Sequence, residues 1–338
     1  MENQMKALLD TLYHAKTKQR RWNASDFLTG NTSFEVWRSS LLTTLKEALA
    51  FPSCPHDLKL TLSQAQMQPF GTLARMTYLS EEGLYTPAYL LTPHHVDEST
   101  PVILCLHGHG LGCKDIVGLC PQESYQKRFA RKACEAGMIV VAPEMAGFGE
   151  LRLPEELESG DAHQSSCHRL AMNLLACGRS LLGMRVNQAM RALDVMQQLY
   201  AGHPMGIMGI SGGATVSVLT MALDQRLCAG VISGYANTFA DSILAMRHCV
   251  DNYWPDMIGQ MEMPDLLCTI APRPMLWETG SQDPIYPQLA ARKAADIVFH
   301  CYEQEHAETH FEVDAFKGGH EIHGERAFSF LKEYCTVS

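Results

Sequence analysis

A series of short apolar runs, spaced along the chain and separated by helix-like segments, decides what this sequence can fold into. Val102-Ile-Leu-Cys-Leu106 and Met138-Ile-Val-Val-Ala142 have no polar interruption, and Gly206–Ile210, Ala229–Ser233, Pro274–Trp277 and Phe311–Phe316 follow. A run of four to six apolar residues bounded by Gly or Pro reads as a strand buried on both faces. Between the runs lie segments with helical spacing: Tyr125–Ala136, a long one from about His168 to Tyr200, Gly213–Leu223, Ala290–Tyr302 and Arg326–Tyr334. Tyr85–Leu91 reads as a further strand. Such alternation predicts an α/β fold, with a mostly parallel sheet flanked by helices on both faces.

The first 70 residues differ in texture. Apolar residues at Met5, Leu8, Leu9 and Leu12, and again at Phe34, Trp37, Leu41 and Leu45, predict an N-terminal helical extension over 1–70. A catalytic domain is expected over 71–338. The segment 235–271 breaks its rhythm with aromatic, Met and Pro residues, and reads as a cap-like insertion at the C-terminal ends of the strands, where such folds place their sites.

The chain carries 37 acidic and 27 basic residues, a net charge of −10. With no basic stripe, nucleic acid is not expected as a partner. No run of about 18 apolar residues is present, so no membrane span is expected. The 12 cysteines are scattered without a CxxC pair, and no signal-peptide pattern opens the chain. They read as reduced thiols packed as small hydrophobes in a cytoplasmic protein. A homo-oligomer is compatible with the sequence.

Gly209-Ile-Ser211-Gly-Gly213 fits G-x-S-x-G directly between an apolar strand and a helix. A chain of this composition would contain about 0.1 such matches by chance, so the context matters more than the match. A serine on a sharp strand-to-helix turn projects its hydroxyl above the sheet, and small flanking residues permit the turn. A phosphate-binding turn is the competing reading, but no Lys-Ser/Thr follows. After the Val102–Leu106 strand, His107-Gly-His109-Gly110 offers a second backbone donor for an oxyanion. A dinucleotide-binding loop is disfavoured there because position 113 is Cys.

An acid and a histidine should follow the serine in that order. Asp283 lies on a loop beyond the Pro274–Trp277 strand, with Glu278 at the strand's edge as its rival. His320 follows Gly318 and Gly319 on the exit loop of the last strand, with His323 as the alternative base. Met145, Phe148, His248, Tyr253 and Trp254 are candidates for the substrate pocket, or for ordinary packing of the cap. His306-Ala-Glu-Thr-His310 has the i, i+4 spacing of a metal pair, but its Glu is displaced from the H-E-x-x-H position, and a solvated helix end is the preferred reading.

Taken together, the elbow, the His-Gly-x-Gly loop, Gly280-x-x-Asp283-x-x-x-Pro287 and Gly318-Gly-His320 resemble the α/β-hydrolase superfamily over roughly residues 75–338. Within it the chain is most similar to the dienelactone hydrolase and acetyl xylan esterase-like group of serine hydrolases. Ala142–Glu150, Ser233–Phe239 and Asp241–Tyr253 resemble segments of that group. The resemblance implies a Ser211–Asp283–His320 triad, with the backbone N–H groups of His109 and Gly212 as oxyanion hole, acting on a small-molecule ester with no metal or organic cofactor. Dienelactone hydrolases proper carry a Cys nucleophile where Ser211 stands. The carbohydrate acetyl esterases carry Gln where Gly212 stands, and an Arg-Gly-Gln-Gly loop where Gly147-Phe-Gly149 stands. The expectation is therefore a serine esterase for small-acyl esters. A peptidase or amidase on the same residues, a metal-dependent hydrolase and a non-catalytic binding protein are the other readings.

Overall fold

The computed structural model describes residues 3–336. The strands are β1 (Thr61–Leu62), β2 (Gln66–Gln68), β3 (Gly71–Glu81), β4 (Leu84–Pro93), β5 (Val102–Leu106), β6 (Ile139–Pro143), β7 (Met205–Ile210), β8 (Leu227–Ser233), β9 (Met275–Gly280) and β10 (Phe311–Phe316). They form one sheet in the order β1-β3-β4-β6-β5-β7-β8-β9-β10, with β2 also on β3. From β6 to β10 the neighbours are parallel. The β1–β3, β2–β3, β3–β4 and β4–β6 pairs are antiparallel. The expected α/β architecture is present, with parallel pairing confined to β5–β10.

Every residue of β5, β6 and β7 is buried, as their unbroken apolar sequence requires. Helices pack on both faces. Phe34–Leu49, Leu181–Leu199, Gly212–Leu223 and Gln288–Gln304 contribute to the core on one face. Phe129–Glu135 and Ala327–Tyr334 contribute to the core on the other. The Gly212–Leu223 helix, whose polar residues are only Thr215, Ser217 and Thr220, is buried almost throughout because it lies between the sheet and other helices.

Three expectations need correction. The extension expected to be helical over 1–70 is helical only as far as Leu49 and ends in β1 and β2, which join the sheet on β3. The long helix expected from His168 to Tyr200 is two helices, Cys167–Ala176 and Leu181–Leu199. Gly178, at a φ of 73°, turns the chain between them, and the Ser180 hydroxyl caps the second by accepting from Gly183 N at 2.9 Å. The helix expected from Tyr125 begins only at Phe129, which leaves Tyr125 on a loop above the sheet. Residues 235–271 form the expected irregular excursion after β8, with short helices at Met257–Gln260 and Met263–Cys268. Among the described residues no helix is long and apolar enough to cross a membrane.

Gly183 is where the N-terminal helices meet the body of the protein. A Cβ built there would lie 2.0 Å from the Leu49 carbonyl oxygen, at the end of the Phe34–Leu49 helix. The Leu49 backbone is held by a side chain that is fully buried, so it has little room to give. Gly183→Ala is therefore expected to destabilise the protein by about 1–3 kcal/mol, as overpacking does. Urea unfolding followed by tryptophan fluorescence measures it, and an unchanged midpoint would contradict this packing.

Candidate active site

The site begins with a steric constraint. At the end of β7 the chain turns through Ser211, a non-glycine residue held at φ 56° and ψ −125°. A Cβ at Gly209 would sit 2.4 Å from Ser217 Oγ, and one at Gly213 would sit 2.1 Å from the Leu106 carbonyl oxygen. Both glycines of the motif are therefore required for the helix to start so close to β5 and β7. The strained serine is anchored on both sides: its N–H donates to Ser233 O at 3.0 Å, and its C=O accepts from Thr215 N at 3.0 Å. Gly212 opens the helix, so its N–H lacks an intrahelical partner.

The His107–Gly110 loop closes over this turn. A Cβ at Gly108 would lie 3.2 Å from Ser211 Cβ and 2.2 Å from Tyr125 Oη. Gly108 N donates to the buried Gln126 side chain at 2.6 Å, which pins the loop. The next residue, His109, carries its ring to within 3.2 Å of where a Gly212 side chain would begin.

Asp283 and His320 arrive from the loops after β9 and β10. His320 Nδ1 donates to Asp283 Oδ2 at 2.8 Å. The other Asp283 oxygen accepts from Ile285 N at 2.8 Å and Tyr286 N at 3.0 Å. Burial acts to raise the Asp283 carboxyl, but the His320 hydrogen bond and charge and these amides outweigh it and hold it below its ordinary value. His320 Nε2 is buried without a hydrogen-bond partner. It borders the same cavity as Ser211.

The rivals are occupied elsewhere. Glu278 is buried beneath the site and accepts from Ser233 Oγ at 2.8 Å and Gly324 N at 2.7 Å, bracing two loops. Burial raises its carboxyl above the usual range. His323 bonds Asp314 at 2.7 Å and stacks on Phe316 with a ring separation of 4.4 Å. His310 Nδ1 is engaged by the Pro272 carbonyl at 2.8 Å, and His306 lies just beyond the end of the Gln288–Gln304 helix.

The cavity over Ser211 has a volume of about 300 Å³, and its lining includes His109, Tyr125, Met246, Arg247, His248 and Ile285. Of the pocket candidates, His248 lines it. Met145 and Phe148 do not: both are buried, and Phe148 packs edge-on behind the His109 ring at 5.1 Å. Tyr253 and Trp254 border a separate cavity of about 390 Å³ between the insertion and the Cys167–Ala176 helix.

Several site residues escaped the sequence reading. Tyr125 and Tyr286 both lie roughly parallel to the His320 ring, at centroid separations of 5.5 and 5.7 Å. Tyr125 Oη also donates to the His109 carbonyl at 2.8 Å. Behind His109, its Nε2 lies 3.0 Å from Asp251 Oδ2. Asp251 in turn pairs with the fully buried Arg185. Burial acts to lower the His109 imidazole, but the Asp251 charge overcomes it and raises the ring to about 9. Apart from a clustering of polar residues near positions 247–252, no local pattern announces these partners.

The family comparison agrees with the geometry. A model of the Abhydrolase family matches residues 11–320. No curated protein matches the chain. Among solved structures, a Bacteroides fragilis protein assigned as an acetyl xylan esterase superposes with a TM-score of 0.74 at 15% identity, covering 96% of this chain and 89% of the other. A glucuronoyl esterase from Solibacter usitatus gives 0.65 at 14% identity, covering 90% and 93%. Acetyl xylan esterase 1 from Thermoanaerobacterium gives 0.59 at 16% identity, covering 88% and 93%. At these identities the likeness establishes the fold, and the family match extends from the N-terminal helices to His320: the chain belongs to the Abhydrolase family and has the α/β-hydrolase fold.

Proposed function

We propose that the protein is a serine carboxylesterase for small-acyl esters. The observation that carries this reading is the convergence on one cavity of a strained serine and a histidine already held by a carboxylate. Ser211 Oγ attacks the ester carbonyl while His320 Nε2 takes its proton. Asp283 keeps the other ring proton on Nδ1, so Nε2 is left as the acceptor. The developing oxyanion is received by the N–H groups of Gly212 and His109. Collapse of the tetrahedral species expels the alcohol, which leaves with the proton held on His320. Water then repeats the sequence on the acyl-enzyme and releases the acid.

The cavity volume of about 300 Å³ lies at the lower end for ligand sites, which supports a short acyl group. The acetyl xylan esterase and glucuronoyl esterase neighbours favour esters over amides as substrates. The free cysteines suit a reducing compartment, and we place the enzyme in the cytoplasm.

A fluorophosphonate is expected to label Ser211, and Ser211→Ala to abolish hydrolysis of p-nitrophenyl acetate while the matched anilide is turned over poorly by the wild type. Wild-type turnover in Ser211→Ala would overturn the proposal. Asp283→Asn should leave the fold intact and lower kcat by about 10⁴, the cost of presenting the wrong histidine tautomer.

Tyr125→Phe keeps the ring beside His320 but removes the bond to the His109 carbonyl. A neutral hydrogen bond is worth about 0.5–1.5 kcal/mol. The expected loss is about two- to tenfold in kcat with KM little changed, measured on the same acetate ester.

A further inference from the structure

We propose that His109, Cys167, Cys249 and Asp251 form a structural zinc site that fastens the insertion to the oxyanion loop. This inference does not rest on the esterase reading and concerns residues the hydrolytic steps do not use as nucleophile, base or acid.

The donor set comes first. One imidazole nitrogen, two thiol sulfurs and one carboxylate oxygen all lie within 4.8 Å of one another. Four ligands of these types are what tetrahedral zinc takes in closed structural sites. With Zn–S near 2.3 Å and Zn–N or Zn–O near 2.0–2.1 Å, ligand atoms in such a site stand about 3.3–3.8 Å apart. The cluster needs to contract by at most about 1–1.5 Å to reach that spacing. His109 Nε2 already stands 3.0 Å from Asp251 Oδ2, and it is buried with no hydrogen bond of good geometry. A proton on that nitrogen and a metal ion are alternatives, since zinc takes the neutral ring.

The surroundings fit. Arg185, itself buried, bonds two of the three anionic ligands: its guanidinium pairs with Asp251, and Nη2 stands 3.0 Å from Cys167 Sγ. The same guanidinium is fixed by the Ala146 carbonyl at 2.7 Å and lies over the Phe148 ring at 4.8 Å. The other Asp251 oxygen accepts from Asn252 Nδ2 at 2.9 Å, while Oδ2 faces His109 and also receives the Arg185 guanidinium, so an ion there would share that oxygen with the arginine. Such outer partners orient and charge the ligands of a metal. The charges close as well: two thiolates and one carboxylate are balanced by a divalent ion together with Arg185. Without the ion, a second thiolate would lack a counter-charge. An adjoining cavity of about 340 Å³, bordered by Cys167, His168, His248 and Cys249, gives an ion its path in from solvent.

The ligands lie on three separate pieces of chain. His109 belongs to the loop over Ser211, Cys167 opens the Cys167–Ala176 helix, and Cys249 and Asp251 lie in the insertion. One ion would cross-link all three around the mouth of the cavity. All four positions are filled by protein, so the site has no opening for a reacting water, and its contribution is to hold the mouth in shape.

The test uses the full chain, expressed with zinc in the medium and purified under reducing conditions without chelator. Elemental analysis should find about one zinc per chain. Cobalt(II) exchanged into the wild type should give thiolate-to-metal charge transfer in the near ultraviolet and strong tetrahedral d–d bands. Cys167→Ser and Cys249→Ser should each lose the zinc, whereas Ser211→Ala should keep it whether or not Ser211 proves to be the nucleophile. The wild-type cobalt spectrum decides the matter should the cysteine variants fail to fold. Folded wild type free of zinc and without a thiolate–cobalt band would overturn the proposal. So would a Cys167–Cys249 disulfide in protein prepared without oxygen, or zinc retained by both cysteine variants.

Discussion

The close approach of the helix Gly212–Leu223 to β5 and β7 is the constraint on which the rest of the molecule depends. It leaves no volume for a side chain at Gly209 or Gly213. It also forces Ser211 into a backbone conformation that a non-glycine residue adopts at a cost. That cost is met by burial: the strands on either side and nearly the whole helix are removed from water. The loops that bring Asp283 and His320 leave the same edge of the sheet, because parallel strands all end there. A precise local arrangement thus follows from the register of strands far apart in sequence.

The site is layered outward from that turn. Nearest the serine are His320 and the His109 loop. Around them stand Tyr125, Tyr286 and Asp283, each of which orients a neighbour. Further out, Arg185 and Asp251 form a buried pair of opposite charge, and removing one partner of such a pair leaves the other stranded at a cost of several kcal/mol. The insertion takes part in this outer layer through Asp251 and Asn252, so it belongs to the site and not merely to its cover.

How much of this was legible in the sequence follows from how far each feature reaches along the chain. The buried strands were readable because burial on both faces imposes an unbroken apolar run. The turns that carry Ser211, Asp283 and His320 were readable because each follows such a run and is marked by glycines. β3 was not expected: as a long antiparallel strand with partly exposed positions, it shows neither a continuous run nor a clean alternation. The break at Gly178 was missed because a single glycine within a helical pattern is ordinarily tolerated. Met145 and Phe148 were expected in the cavity and are instead buried beside the loop, Met145 N against His107 and Phe148 against His109, since apolar residues beside a site support its wall as readily as they face it. Arg185, Asp251 and Cys167 meet only in three dimensions, from segments with no common motif.

The two tyrosines beside His320 have a consequence for how a reaction could proceed there. An imidazole with two aromatic rings roughly parallel to it has less freedom to tip out of its own plane. With Nδ1 tethered to Asp283, rotation within the plane is restricted too. Such a ring is held nearly stationary. If it delivers the proton in the proposed reaction, the substrate must carry its leaving oxygen to the ring. Selectivity among alcohols would then be written in the trajectory each permits past a fixed nitrogen, with the walls of the acyl cavity having little say in it.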